Sequence, residues 1–458
     1  MIKSIYSSPK IRNIETPPDE RGDILARVLS TWFGHFYTNH LKQHAVIRQI
    51  LEWIWRRYYL FYATRVAVHF SERKEKRWRP LIRLSDFTRK RGLPIHILAD
   101  KTFIETPKPE VFPVCDQDYL ASPHDRYEFP EIFVTTVKNA VAYGGTNLVL
   151  VDDEVVCHDL YDFQRDYTSE ELHGRTLIHP RSKRIRWLLH DKNPDRVPAA
   201  AVFVDACAPN YAHWLTEVLP RIALFCLEKR FKDVPIVVNS GLHKNIMESL
   251  FLAAGPERKI IVLPVSRALY CDELYITSVS GYVPFERRNN SLSGHSHGVF
   301  SPLAFNALLG HPKLGLKQNA KDSHWPKKIF LRRNSEIRNV VNATELERMF
   351  FSHGYSVVEP ERMTFSQQVK LFSNARVIAG SSGAALANII FCPPITKICI
   401  FISKDPETSY WYWQNIACAT GKTVTYVLGE KNKSRMGGIH TSFAIDLNSL
   451  PSSILEGK

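Results

Sequence analysis

Several groups of side chains in this 458-residue sequence stand at spacings that suit chemistry. In NYAHWLTEVLPRI, residues 210–222, His213 and Glu217 are four apart, so a helix puts them on one face, where either could take the proton of an attacking hydroxyl. A pair at this spacing more often decorates a solvated surface, and the loop ending at Asn210 is what raises its standing. In GSSGAALANIIF, residues 380–391, Gly380 and Gly383 stand where an apolar run gives way to a helical pattern. Backbone N–H groups and a helix dipole at such a turn suit a phosphate, although close packing alone would use the same glycines. The spacing is not GxGxxG, so the usual dinucleotide turn is excluded. Arg332 and Arg338 follow another apolar run, and guanidinium groups there can grip a diphosphate and hold the charge that develops as it leaves. Arg333 reads as a surface arginine beside them. Glu359 and Glu361 close a further run, where a carboxylate can accept hydrogen bonds from ligand hydroxyls or face water.

These residues need elements to hold them. Residues 200–204 read as a strand, and 210–230 as a helix that Pro220 must kink or divide. Residues 234–238, 242–254, 260–263 and 269–276 continue the alternation of strand and helix into one α/β domain. Ahead of it, 147–151 and 155–157 read as a hairpin whose tip, Asp152, Asp153 and Glu154, is a solvated turn rather than a metal-binding acidic motif. Residues 310–326 are polar and carry Gly and Pro, the composition of a linker. Beyond it, 328–331, 355–358, 376–379 and 397–402 read as strands of a parallel sheet, whose ligands bind at the carboxyl ends. Asn342 with Glu345, and Thr364 with Gln367, are capping boxes for the intervening helices, and Gly354 closes the first.

Composition bounds the rest. There are 60 Lys and Arg against 46 Asp and Glu, a formal charge of +14, which implies an anionic partner: nucleic acid, phospholipid or a nucleoside diphosphate. The cysteines form no CxxC pair, which argues against a zinc or redox motif and fits a reducing cytosol. The N-terminus lacks the apolar core of a signal peptide, and no apolar run is long enough to span a membrane, so the expected location is cytoplasmic. Residues 24–70 are read as helical, and WIWRRYYLFYATR within them is aromatic and basic, suited to a protein core or to the inner face of an anionic membrane. Residues 71–110 are charged and broken by Pro, and are read as a loosely folded connection. The expected division is therefore 1–110, a basic helical extension; 111–315, an α/β domain; and 316–458, a Rossmann-like domain.

Taken in order, the blocks resemble glycosyltransferase family 61, which includes bacterial capsular-polysaccharide transferases and eukaryotic xylosyl- and N-acetylglucosaminyltransferases. Asn210, His213, Glu217 and Leu219–Pro220–Arg221 match its first block; Arg332, Arg338 and Asn342 its second; Gln368, Gly383 to Leu386, Asn388 and Phe391 its third. The similarity covers about 126–405. Many members carry His where this chain has Ser382, which puts the donor preference in question. The resemblance implies a GT-B fold, two Rossmann-like domains facing a cleft, and an inverting transfer from a nucleotide sugar, a UDP-sugar by expectation. The acceptor would be a glycan or lipid-linked glycan, in cell-surface polysaccharide synthesis, with no cofactor and no bound metal. Arg332, Arg338, Glu359, Ser382, Gly383, Ala384 and Asn388 would then line the donor side. Asn210, His213 and Glu217 would line the acceptor side, with either of the last two as base. The alternatives are a nucleic-acid-binding protein, for which no binding motif is present, and a non-catalytic glycan-binding member of the same fold.

Overall fold

In a computed structural model of the chain, the described residues are 11–14, 36, 45–54 and 78–457, apart from 121–124, 173–174, 188–190, 192, 266, 285, 288–297, 315–323, 334–338, 405–409 and 432–441. They form two large sheets, one of 12 strands and one of 7. In the larger, Ile260–Leu263, Ile236–Asn239, Asp195–Val202 and Ala268–Thr277 lie side by side and parallel, so their order in space is third, second, first, fourth. The strand Ile132–Tyr143 then pairs antiparallel with Ala268–Thr277 and begins the mixed half of the sheet. IVVN at 236–239 is buried throughout, as a parallel strand covered on both faces requires.

The smaller sheet is parallel over five consecutive strands: Lys328–Leu331, Ser356–Val358, Val377–Ser381, Lys397–Ser403 and Val424–Lys431. Their spatial order is second, first, third, fourth, fifth, one of the two common doubly wound orders. The strand order therefore reverses between Lys328–Leu331 and Val377–Ser381, and ligands of such sheets gather outside the carboxyl ends at that point. The box of Thr364 and Gln367 is present in full. That of Asn342 is not: its side chain accepts from the N–H of Ile445 (3.0 Å) and donates to the same residue's carbonyl (2.8 Å), leaving nothing for the helix Ala343–Ser352. A backbone partner about a hundred residues away outcompetes the local cap, and no local pattern reveals it.

Residues 211–227 divide into a turn of α-helix, Tyr211–His213, a π-helical stretch, Trp214–Val218, and an α-helix, Leu219–Leu227. Pro220 has no N–H to offer the carbonyl of Thr216, and its ring would crowd that carbonyl in a regular helix. The wide π turn ahead of it removes the conflict, which is the physical form of the expected kink. Trp214, Leu215, Val218, Ile222 and Phe225 on this helix are 0% exposed and share one apolar core with Leu386, Ile389, Ile390, Trp411 and Trp413 of the smaller sheet's half. Each large side chain so buried contributes roughly 1.5–3 kcal/mol, so this shared core binds the two halves together.

The expected extension at 1–110 needs correction. Of its described residues, Ala45–Ile54 is helical, but Trp78–Arg83 and Ile95–Ala99 are strands of the larger sheet, and Leu84–Arg91 is a helix beside them. Glu110–Phe112 adds to the smaller sheet next to Val424–Lys431, so residue 110 is no boundary. The charges that read as a solvated connection are instead paired. Lys90 meets Glu154 at 2.6 Å, Arg91 meets Asp152 and Glu154 at 3.0 Å, and Arg79 meets Asp153 at 3.5 Å. The acidic hairpin tip is thus no free solvated turn: Glu154 is buried, and Lys90 together with Arg91 keeps its carboxyl below the ordinary range against the opposing effect of burial.

Candidate functional site

Asn210 caps the helix that follows it, its exposed side chain accepting from the N–H of Ala212 at 3.0 Å. His213 and Glu217 face one another as the spacing requires, with Nδ1 of His213 2.5 Å from Oε1 of Glu217. The carboxylate is held from its other side by the N–H of Val283 at 3.3 Å, and its backbone carbonyl accepts from Ser280 at 3.1 Å. Gly281 presses against this turn: a Cβ there would fall 2.6 Å from the carbonyl oxygen of Thr216, so a side chain cannot be added without moving the helix. Tyr412 closes the site from the other half, its ring centroid 6.2 Å from that of His213 and its hydroxyl 3.3 Å from that of Thr216.

Burial alone would lower the His213 pKa, but the charge and hydrogen bond of Glu217, with Asp205 behind it, outweigh that and hold the imidazole above its ordinary value. Burial raises the Glu217 carboxyl, and His213 offsets only part of the rise. The two therefore hold a proton between them as a unit. With Nδ1 directed to the carboxylate, Nε2 is the nitrogen left to accept a proton from a substrate. Asp205 was not singled out in the sequence. It sits just past Asp195–Val202, buried, accepting from Asn147 at 3.0 Å and from the N–H of Cys207 at 2.8 Å. Near it, burial and the charge of Asp205 push Glu170 up to about 7.

At the end of Lys328–Leu331 the two arginines part. Arg332 gives Nε and Nη2 to Glu347 at 2.9 and 2.7 Å and Nη1 to Glu359 at 3.0 Å. Arg333 points the other way, Nη1 donating to the carbonyl of Ser382 at 2.9 Å. It packs on Gly383 so closely that a Cβ there would stand 2.1 Å from that nitrogen. Successive residues of an extended chain face opposite sides, so only one of the two can reach the loop. Arg332 is thus engaged by two carboxylates, and Arg333, read from sequence as a surface arginine, is the one that lies at the turn. Glu359 is likewise engaged, by Arg332 and by Arg362 at 2.5 Å. Arg338 lies outside the described residues.

Ser382 and Gly383 form the turn after Val377–Ser381, and Ala384 opens the helix expected there, a 3-10 helix, Ala384–Phe391. Ala384 is exposed and Ser382 partly so, which leaves them accessible to a ligand. Asn388 is not accessible. It is 0% exposed, accepts from the Tyr211 hydroxyl at 2.9 Å, and donates to Gln368 at 2.8 Å and to the carbonyl of Ala385 at 3.0 Å. Asn388, expected on the donor side, is here a bracket between the halves, tying the helix of His213 to the helix that opens at Ala384. Among the described residues no three His, Cys, Asp or Glu side chains cluster as metal ligands would, and no helix is long and apolar enough to cross a membrane.

Residues 211–399 match the family model described as Glycosyltransferase 61. No curated protein matches the chain. The matched span opens at Tyr211 and takes in the His213 and Glu217 pair, both arginines, the Gly383 turn and the Asn388 bracket.

Proposed function

From residues 211–399 this chain belongs to glycosyltransferase family 61, and on that premise we propose an inverting transfer from a nucleotide sugar, a UDP-sugar, to a hydroxyl of a glycan or lipid-linked glycan, on a GT-B framework. The observation that carries the reading is the bond from Tyr211 to Asn388. It joins the helix bearing a proton acceptor to the turn that suits a phosphate. In the reaction, the acceptor oxygen attacks the anomeric carbon while the bond from that carbon to the β-phosphate oxygen breaks. Nε2 of His213 takes the hydroxyl proton, and Glu217 steadies the imidazolium that results. The leaving diphosphate gathers negative charge, which Arg333 and the N–H groups opening Ala384–Phe391 meet without a metal.

The test is thermal stabilisation by a panel of nucleotide sugars, followed by product analysis with the one that binds. One donor should raise the melting temperature, because a ligand held only by the folded state stabilises it. It should also yield free nucleoside diphosphate when an acceptor glycan is added, with chelator present. No response to any donor would contradict the reading.

The setting we propose is cell-surface polysaccharide synthesis at the inner face of the cytoplasmic membrane. The helix Ala45–Ile54 supports this, leaving Ile50, Trp53 and Ile54 exposed by 51, 56 and 41%. Flotation with anionic vesicles should recover the full chain, and Trp53→Glu with Ile50→Glu should reduce recovery. Equal recovery of both would remove the membrane from the account.

A further inference from the structure

Strands Asp195–Val202 and Ala268–Thr277 are the first and fourth of their parallel run yet lie side by side, which makes the space at their carboxyl ends a second point of strand reversal. A cavity of about 20 Å³ lies there, lined by Val204, Thr277 and Ser278 from the strand ends and by Asn147, His158 and Arg221 from around them. Its described lining includes no carboxylate. Arg221 is one step along the same helical face as His213 and Glu217, and only 4% exposed. Its guanidinium lies over the Phe203 ring, 5.4 Å from the centroid, and its Nε has no hydrogen-bond partner. Nδ1 of His158 and Oγ1 of Thr277, buried atoms of two further residues that line this cavity, have none either.

Leaving a buried donor unmet is costly, and most such groups in folded proteins find a partner. Three such groups around one small cavity, the guanidinium N–H, a threonine hydroxyl and, in its Nδ1–H tautomer, the His158 ring, point to an occupant rich in acceptors. Burial, with Arg221 and Arg83 beside it, pushes the His158 imidazole down to about 3, so it contributes a neutral ring and Arg221 supplies the cationic charge. Asp205 and Glu217 bear on Arg221 only through space. The volume suits one or two water-sized groups, since one such group needs roughly 10–15 Å³, and a carboxylate head is of that size.

We propose that this cavity is a carboxylate subsite in which a carboxylate-sized anion accepts from Nε of Arg221, Nδ1 of His158 and Oγ1 of Thr277. Two sources offer that chemistry: a free small organic anion, or the carboxylate of an acidic sugar in the acceptor. The subsite itself stands apart from the transferase reading; only the second source rests on it.

The experiment compares acetate with acetamide, its neutral counterpart, in thermal unfolding of the full chain at constant ionic strength. At about five times its Kd acetate should raise the melting temperature by roughly 1–3 °C, and acetamide should not. The rise should vanish in Arg221→Gln and shrink in Thr277→Val, which keeps the shape and removes the hydroxyl. Glucuronate acting where glucose does not would assign the pocket to a sugar carboxylate; acetate acting without glucuronate would assign it to a free anion. Equal shifts from acetate and acetamide, or a full acetate response in Thr277→Val, would mean that these groups hold no carboxylate in the cavity and would overturn the proposal. Because no turnover is measured, failure here leaves the transfer reaction untouched.

Discussion

On the helix after Asn210, His213 and Glu217 meet at 2.5 Å and act as one group, whereas at the end of Lys328–Leu331 the adjacent Arg332 and Arg333 turn to opposite sides. In the first region, chain spacing decides contact: four residues on a helix is one turn, and even the π stretch leaves the pair together. In the second, spacing decides separation, because neighbours on an extended chain cannot share a face. In the first pair Glu217 is buried and His213 mostly so, flanked by Val283, Gly281 and Tyr412; of the second, one member is paired with Glu347 and Glu359, and the other lies on the glycine turn. A proton acceptor has to be tuned by burial and a fixed partner, while a phosphate ligand has to be reachable, and each region is built for the task proposed for it.

The comparison is sharpest at the base. His213→Ala should lower turnover by roughly 100 to 10,000-fold with donor affinity unchanged, and a loss below about tenfold would remove His213 from that role. Glu217→Gln should cost less and move the pH profile. Neutral His213 is the active form, so the rate falls as pH drops through the apparent pKa of the pair. Glu217 raises the imidazole above its ordinary 6.5, so the acid limb stands above that value in the native protein and should shift to lower pH in the variant. An unmoved limb would show that the carboxylate does not govern the imidazole.

Next in size is the bracket between the regions. Asn388→Ala leaves the Tyr211 hydroxyl and Gln368 buried without their partner, at a cost of about 1–3 kcal/mol, which denaturant unfolding would measure. Were Asn388 a donor ligand instead, nucleotide affinity would fall while stability stayed.

Much of the fold could be read before the coordinates, for reasons specific to each element. The strands 328–331 and 397–402 announced themselves as apolar runs, and Thr364 with Gln367 is a local device that needs only its own four residues. What could not be read depends on distant partners. Asn342 is claimed by Ile445, and Lys90 and Arg91 by an acidic hairpin some sixty residues on. Asn388 is claimed by Tyr211. The order of Arg332 and Arg333 turned on the parity of a strand end, a one-residue matter that no composition reveals. Glu347 and Glu359 could have hinted at it, since two acids within reach of one arginine are better placed to pair with it than to leave it free for phosphate.

The measurement that bears most directly on the account is calorimetric titration of UDP into the native protein, Arg333→Ala and Arg332→Ala. Hydrogen bonds to a charged group contribute about 1.5–3 kcal/mol, and about 1.4 kcal/mol is a factor of ten. Arg333→Ala should therefore weaken UDP by roughly tenfold or more while Arg332→Ala binds it as the native protein does. The opposite result, with affinity lost in Arg332→Ala and kept in Arg333→Ala, would contradict the placement of the diphosphate at the Gly383 turn.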